Sequence, residues 1–393
     1  MNDMNSLKRG RASRGYSALV FLFFLAIFTS TLIERGITKQ LVYYAASILC
    51  LGVYIIEKLI KKMLSINKNI FIFMFLCILT GISNFVLIRN TGVSDIIECA
   101  ILNTVMAIIL NEKRIKLEWL EAIIYIECAY FVYKFLSVGF YARVMTLYSN
   151  NAVSIALLIP LAVYYALVDL QNESLKIMPV IVAWVISLFA KGRSGIIIMT
   201  FLLICIVAAN YYHGVKNGHV NKWIYVRQLL YRIFVILLLT GISYYILSNY
   251  TNVVFSKFYR SGTDDTGRFL IWTEYLHYAF NRIKYFIFGV PYRMLLIGNF
   301  FGGNSHNSFI SIHAKNGIVM LTICLIFLSK SIKWAINNKK YVYMVSLLAF
   351  CMRSFFDNVF WGTRGTTTFI FFLFTPYIIS SYKKDLSQQE EIY

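Results

Sequence analysis

One property of this sequence overrides the others: apolar runs close to the length of a bilayer crossing follow one another almost from end to end. A helix that crosses lipid needs about 20 mainly apolar residues, and a helix is favoured there because it satisfies its own backbone hydrogen bonds where water is absent. Such runs occupy residues 17–33, 41–56, 70–88, 95–110, 119–138, 151–168, 177–190, 194–212, 229–247, 307–329, 341–356 and 366–382. The fourth carries Asp95 and Glu98, and the tenth is interrupted at Lys315-Asn316-Gly317. Composition agrees, with 59% of the 393 residues apolar and 14% charged, where a soluble domain carries roughly a quarter charged. The expectation is an all-α polytopic membrane protein of about twelve transmembrane helices, with little chain left for a soluble domain.

The formal net charge of +20 would, in a soluble protein, point to nucleic acid. Its placement argues otherwise. With residues 1–16 (Lys8, Arg9, Arg11, Arg14) assigned to the cytoplasm and the runs alternating from there, connections on that side hold Lys58, Lys61, Lys62, Lys68, Lys113, Arg114, Lys116, Lys176, Lys216, Lys222, Arg227, Arg232, Lys330, Lys333, Lys339 and Lys340. The tail, residues 383–393, adds Lys383 and Lys384, while short outer connections such as "ERGITKQ" and "RNTGVSD" are poor in Lys and Arg. This is the positive-inside asymmetry, so most of the charge orients the chain with both termini cytoplasmic, and no nucleic-acid partner is expected. The first run has a basic flank but ends in "TSTLIERG" with no convincing cleavage site behind it, which reads as an anchor.

The remaining organisation follows: spans one to nine over residues 17–247, a large outer loop over 248–306, and spans ten to twelve over 307–382. Loops of that length in a compact architecture are usually functional. Within it, Arg268 to Ile287, "RFLIWTEYLHYAFNRIKYFI", spaces Phe269, Trp272, Leu276, Phe280 and Ile283 as on one amphipathic helix, which either lies in the outer interface or caps the bundle. The seven cysteines all fall in apolar runs or at their edges, so no disulfide framework is indicated. No metal-ligand spacing, phosphate-binding glycine loop or nucleophile elbow occurs, and no metal or cofactor is expected.

Three polar stretches remain, all assigned to the outer face. "AKGRSG" (190–195) is a very tight turn that keeps Lys191 and Arg193 at the membrane surface, with Gly192 and Gly195 open to an anion; snorkelling is the plainer reading. "GTDDTGRFLIW" (262–272) puts Arg268 at a helix start, the unfavourable dipole end for a cation, so a negative partner is expected: Asp264 or Asp265, or a ligand. "GGNSHNSFI" (302–310), followed by "SIHAKNG", sets His306 at the mouth of the tenth span, with His313 seven residues on and near the same helical face. Asn307 or Ser308 suits a helix cap. His306 is either structural or a general base for a hydroxyl nucleophile, and His277 is a weaker candidate. Two arginines and a histidine on one face of a polytopic protein suggest a phosphorylated lipid substrate.

The motifs "KGRSGIII", "DDTGRFLIW", "FGVPYRM" (288–294) and "HNSFISIHAKNGIVML" (306–321) stand in the order that resembles the O-antigen polymerase and O-antigen ligase superfamily, bacterial inner-membrane glycosyltransferases of C-type architecture. The motifs cover residues 190–321. The resemblance implies about twelve helices, a large outer loop with short helices, and a metal-independent inverting reaction on an undecaprenyl-diphosphate-linked oligosaccharide. It implies donor-diphosphate contacts for Arg193 and Arg268 and an activating role for His306 near the acceptor hydroxyl; Lys191, Asp265, Trp272, Asn307 and His313, read from the three polar stretches, are the candidates for a supporting role. A second lipid-linked oligosaccharide as acceptor makes the enzyme a polymerase of O-antigen, capsule or exopolysaccharide, working with a chain-length regulator and a flippase. Transfer to lipid A-core or another surface acceptor would make it a ligase. A flippase or other transporter fits less well, because transporters concentrate ionisable groups near the bilayer midplane.

Overall fold

The computed structural model describes residues 14–32, 37–60, 67–112, 115–138, 151–190, 192–216, 266–295, 305–361 and 364–390, with scattered positions between 226 and 241. Their regular structure is helical: α1 (Arg14–Leu32), α2 (Ile37–Ile60), α3 (Lys68–Leu87), α4 (Val93–Glu112), α5 (Leu117–Val138), α6 (Asn151–Gln171), α7 (Met178–Phe189), α8 (Arg193–Lys216), α9 (Thr266–Asn281), α10 (Ile283–Phe288), α11 (Ser308–Asn337), α12 (Tyr341–Phe356) and α13 (Thr366–Glu390). No strand occurs among the described residues.

Six of these helices contain stretches long and apolar enough to cross a membrane: Leu41–Ile60, Lys68–Leu87, Val93–Glu112, Asn151–Gln171, Arg193–Tyr212 and Ser308–Asn337. Four shorter apolar helices accompany them, at Arg14–Ser30, Met178–Phe189, Tyr341–Phe356 and Thr366–Ser381. The chain is therefore an all-α, multi-pass membrane protein. Helices occupy eleven of the twelve apolar stretches read from the sequence, and the stretch 229–247 lies outside the described residues except at isolated positions.

The exposure pattern on α3 inverts that of a soluble helix. Phe71, Phe75, Leu79, Ile82 and Val86 form an exposed apolar stripe at helical spacing, while Ile70, Phe73, Cys77, Gly81 and Asn84 face inward. A stripe of large apolar side chains presented outward suits lipid. The centre of the bundle is α6, buried along most of its length from Val153 to Val168. Around it, α12 packs against both α6 and α8, α13 against α4, and α11 against α3. The packing of α12 brings its C-terminal end beside the starts of α6 and α8.

Two local features position the outer loop. The helix α11 breaks at Gly317 (φ 74°, ψ −175°), within the Lys-Asn-Gly interruption read from the sequence. A Cβ there would overlap the Ile287 carbonyl, so only glycine lets α10 approach this closely. The backbone oxygens at the junction are met by side chains: Asn84 Nδ2 donates to Phe288 O (2.6 Å) and Ala314 O (2.8 Å), and Thr91 Oγ1 donates to Lys315 O (2.6 Å). Irregular backbone is tolerated inside a membrane protein where its polar groups find such partners.

The single amphipathic helix expected from Arg268 to Ile287 is two helices. Arg282 adopts extended backbone (φ −137°, ψ 116°), so α10 turns away from α9. Ile271, Tyr275 and Ala279 of α9 are buried with Ile88, Tyr285, Val290, Leu295 and Ala314. The other stripe, with Phe269, Leu276, Phe280 and Ile283, stays exposed.

Candidate functional site

The site assembles where α11 begins and α12 ends. Asn307 caps α11, its Oδ1 accepting from the backbone N–H groups of Phe309 (2.9 Å) and Ile310 (3.1 Å). His306, one residue earlier, is in the left-handed region (φ 50°), a conformation that most residues avoid and that turns its side chain away from the helix line. Its neighbour on the other side is fixed from the loop, because Trp272 Nε1 of α9 donates to Ser305 O at 3.0 Å. The histidine is thus held between a helix cap and an indole anchor.

The segment after α12 closes over this turn. Ser308 Oγ donates to Asp357 O (3.0 Å) and accepts from Val359 N (2.8 Å) and Phe360 N (3.2 Å), which ties residues 357–360 to the start of α11. Trp361 Nε1 donates to Asn316 Oδ1 at 2.6 Å on the far side of the same segment. In this frame the Asp357 carboxylate reaches His306, with Oδ1 3.4 Å from Nδ1: ion-pair range, and longer than an ordinary hydrogen bond. Burial opposes ionisation of Asp357, but His306, Arg353 and Arg268 together outweigh it and hold the carboxyl below the usual carboxylate range.

Arg353 completes the cluster from the last turn of α12. Its Nη2 donates to Asp357 Oδ2 at 3.2 Å and to Asn151 O, at the start of α6, at 3.3 Å. The side chain is wholly buried, yet its Nε and Nη1 meet no acceptor. A buried donor left without a partner costs roughly 1–3 kcal/mol, and more when charged, so this guanidinium is out of balance with its surroundings. Arg268, on the first turn of α9, lies near enough to act electrostatically on both Arg353 and Asp357.

The expected residues therefore divide. His306 and Arg268 share one cluster through Asp357, and Trp272 and Asn307 brace it. Arg193 opens α8 immediately after Gly192, whose missing side chain leaves room for Asn151. That arrangement sets Arg193 at the same end of the bundle, beside the residue whose carbonyl holds Arg353. A Cβ on Gly192 or Gly195 would overlap Asn151 or Ser154, so both glycines let the start of α8 lie close against α6. Lys191 and Asp265 lie outside the described residues.

His313 has a different place. Tyr275 OH lies 2.6 Å from its Nδ1, and Phe286 O 2.8 Å from its Nε2. A carbonyl can only accept, so Nε2 carries the proton and Nδ1 accepts from the tyrosine. His313 joins α9 and α10 to α11. The shared face expected for His306 and His313 does not exist, because α11 starts at Ser308 and helical spacing does not extend back to residue 306. The sequence reading passed over Arg353 and Asp357. The available signal was an arginine inside an apolar run, four residues before an aspartate.

No group of three or more His, Cys, Asp or Glu side chains that could hold a metal ion occurs among the described residues. Chemically, the cluster offers a carboxylate-oriented imidazole next to guanidinium groups, suited to taking a proton near a bound anion. No protein-family model, curated protein or solved structure matches the chain.

Proposed function

We propose that this chain is a metal-independent, inverting glycosyltransferase that joins undecaprenyl-diphosphate-linked oligosaccharide repeat units into a surface polysaccharide, as the ordered motifs imply. In this reading it crosses the bacterial cytoplasmic membrane twelve times in a C-type glycosyltransferase-like arrangement, with both termini cytoplasmic and the site on the outer face. The observation that supports the reading best is the chain of contacts from His306 through Asp357 to Arg353 at one end of the bundle, with Arg268 near enough to act electrostatically on it.

The residues have distinct roles in the proposed reaction. Asp357 accepts from the Nδ1–H of His306, which leaves Nε2 basic and fixes the ring's direction. Nε2 takes the proton of an acceptor sugar hydroxyl as that oxygen attacks the anomeric carbon of the donor. The bond from the anomeric carbon to the diphosphate breaks with inversion, and undecaprenyl diphosphate departs. Arg193 and Arg268 stabilise the charge that develops on the departing diphosphate through bidentate hydrogen bonds, the task a metal performs elsewhere.

Ligase-type transfer to lipid A-core or another surface acceptor uses the same donor chemistry with a different acceptor. Deletion of the coding gene, followed by electrophoresis of surface polysaccharide, separates the two. A single repeat on the acceptor is the expected outcome for a polymerase. Normal polymer stranded on its lipid carrier would instead assign the ligase, and wild-type polymer would remove both.

A further inference from the structure

We infer that Arg353 forms the buried end of the anion site, where its Nε and Nη1 donate to a phosphate-type oxygen of the lipid diphosphate. This rests on the proposed reading for the identity of the anion, but the geometry that carries it stands apart from that reading. Arg353 is fully buried, its Nη2 is engaged with Asp357 and Asn151, and the N–H groups on Nε and Nη1 have no acceptor. Buried guanidinium donors are ordinarily satisfied, and those that are not mark a place for a missing partner.

The surrounding charge indicates the sign of that partner. Arg353 and Arg268 influence one another electrostatically, with Asp357 as the carboxylate between them and His306 on its other oxygen. Among the described residues, the guanidinium groups of Arg353 and Arg268 act on the single carboxylate of Asp357, a balance that favours a further anion. A planar guanidinium suits the tetrahedral oxygens of phosphate, and an oxygen reaching Arg353 lies beside the His306–Asp357 pair. Arg353 thereby connects the two halves of the site: one nitrogen holds the carboxylate that orients the histidine, and the others receive the leaving group. The resemblance assigned this task to Arg193 and Arg268 alone; Arg353 adds an arm from beneath.

The test is calorimetric titration of inorganic pyrophosphate into the purified full chain in phosphatidylcholine nanodiscs, for the wild type, Arg353→Met, Arg353→Lys and Asp357→Asn. Arg353→Met is expected to weaken binding about tenfold or more, the usual loss for a charge-assisted hydrogen bond. Arg353→Lys should recover little of it, because a compact ammonium does not present the same spread of donors. Asp357→Asn should bind at least as tightly as the wild type, since it keeps Arg353 and removes a competing negative charge. Unchanged binding in Arg353→Met would overturn the inference, as would equal losses in Arg353→Met and Asp357→Asn, which would leave Arg353 only as a support for Asp357. No binding by the wild type would overturn it too.

A parallel arm uses short-chain phosphatidylglycerol; dependence on Arg353 in that arm alone would assign a phospholipid headgroup and overturn the diphosphate. Should Arg353→Met not elute as a monodisperse protein, the lysine variant decides the comparison. Pyrophosphate binding that needs Arg353, in a protein whose deletion leaves polysaccharide unchanged, would uphold the site and sink the polymerase reading. A confirmed polymerase whose pyrophosphate affinity ignores Arg353 would do the reverse.

Discussion

Two polar regions border the first turns of α11, and they are built on opposite terms. At the junction of α3, α10 and α11, the donors of Asn84, Asn90, Thr91 and His313 each reach a backbone carbonyl. Asn84 Oδ1 is left over, but an orphan acceptor is the milder kind. At the His306 turn the groups are ionic, the His306–Asp357 contact is long, and Arg353 has donors to spare. The first region is largely closed upon itself, as a joint should be: its Lys315 is paired with Asp95 at 3.5 Å, and the Tyr292 hydroxyl is the buried donor left over. The second has charge and hydrogen-bonding capacity that the protein leaves unused, which is what a site that takes up an anion requires.

The sharpest attempts to break this comparison concern the cations. Arg193→Lys and Arg268→Lys should each lower polymer formation roughly 10³-fold, nearly as much as alanine, because the bidentate contact is lost while the charge remains. Near-normal polymer from either lysine variant, measured by gel ladder, would remove the bidentate contact from the account. Asp357→Asn should lower the rate about 10²-fold, as expected when the group orienting a base loses its charge and no longer fixes one tautomer.

The same residue gives a pH prediction. Its carboxyl is held below the ordinary carboxylate range, so its contribution to stability is present in full above the unfolded value and is lost as pH falls through the lower folded value. Thermal unfolding of the wild type should therefore weaken at acid pH, and Asp357→Asn should lack that component.

Smaller effects should come from the joint, and of another kind. His313→Ala removes one buried and one partly buried hydrogen bond between α9, α10 and α11 and should cost about 2–4 kcal/mol of stability. A lowered unfolding temperature with catalysis retained in the folded fraction is the expected pattern. Least of all, Phe280→Ser on the exposed face of α9, where the ring is 70% exposed, should shift stability in detergent by no more than about 0.5 kcal/mol.

The two regions also differed in how far the sequence disclosed them. Apolar runs of spanning length are a strong signal, and Lys315-Asn316-Gly317 announced the break in α11 because polar residues and glycine have little other use in the middle of such a run. Asn307 as a cap followed from side-chain chemistry. The split of the loop helix at Arg282 was hidden, since arginine carries no helix-breaking tendency and the change is imposed by packing of α10 against α11. Arg353 and Asp357 were hidden for a related reason: their partners lie far earlier in the chain, His306 for Asp357 and Asn151 for Arg353, and in a hydropathy reading they are only the polar end of an apolar run. His306 was visible as a residue but misread in geometry, because its left-handed backbone puts it outside the helical periodicity that His313 obeys.

The central claim is that His306 does chemistry while His313 holds structure, and complementation of the gene deletion tests it most directly. His306→Gln and His313→Gln would each be expressed at matched membrane levels and the surface polysaccharide resolved by electrophoresis. The account predicts single repeats from His306→Gln and a polymer ladder from His313→Gln. A full ladder from His306→Gln would contradict it.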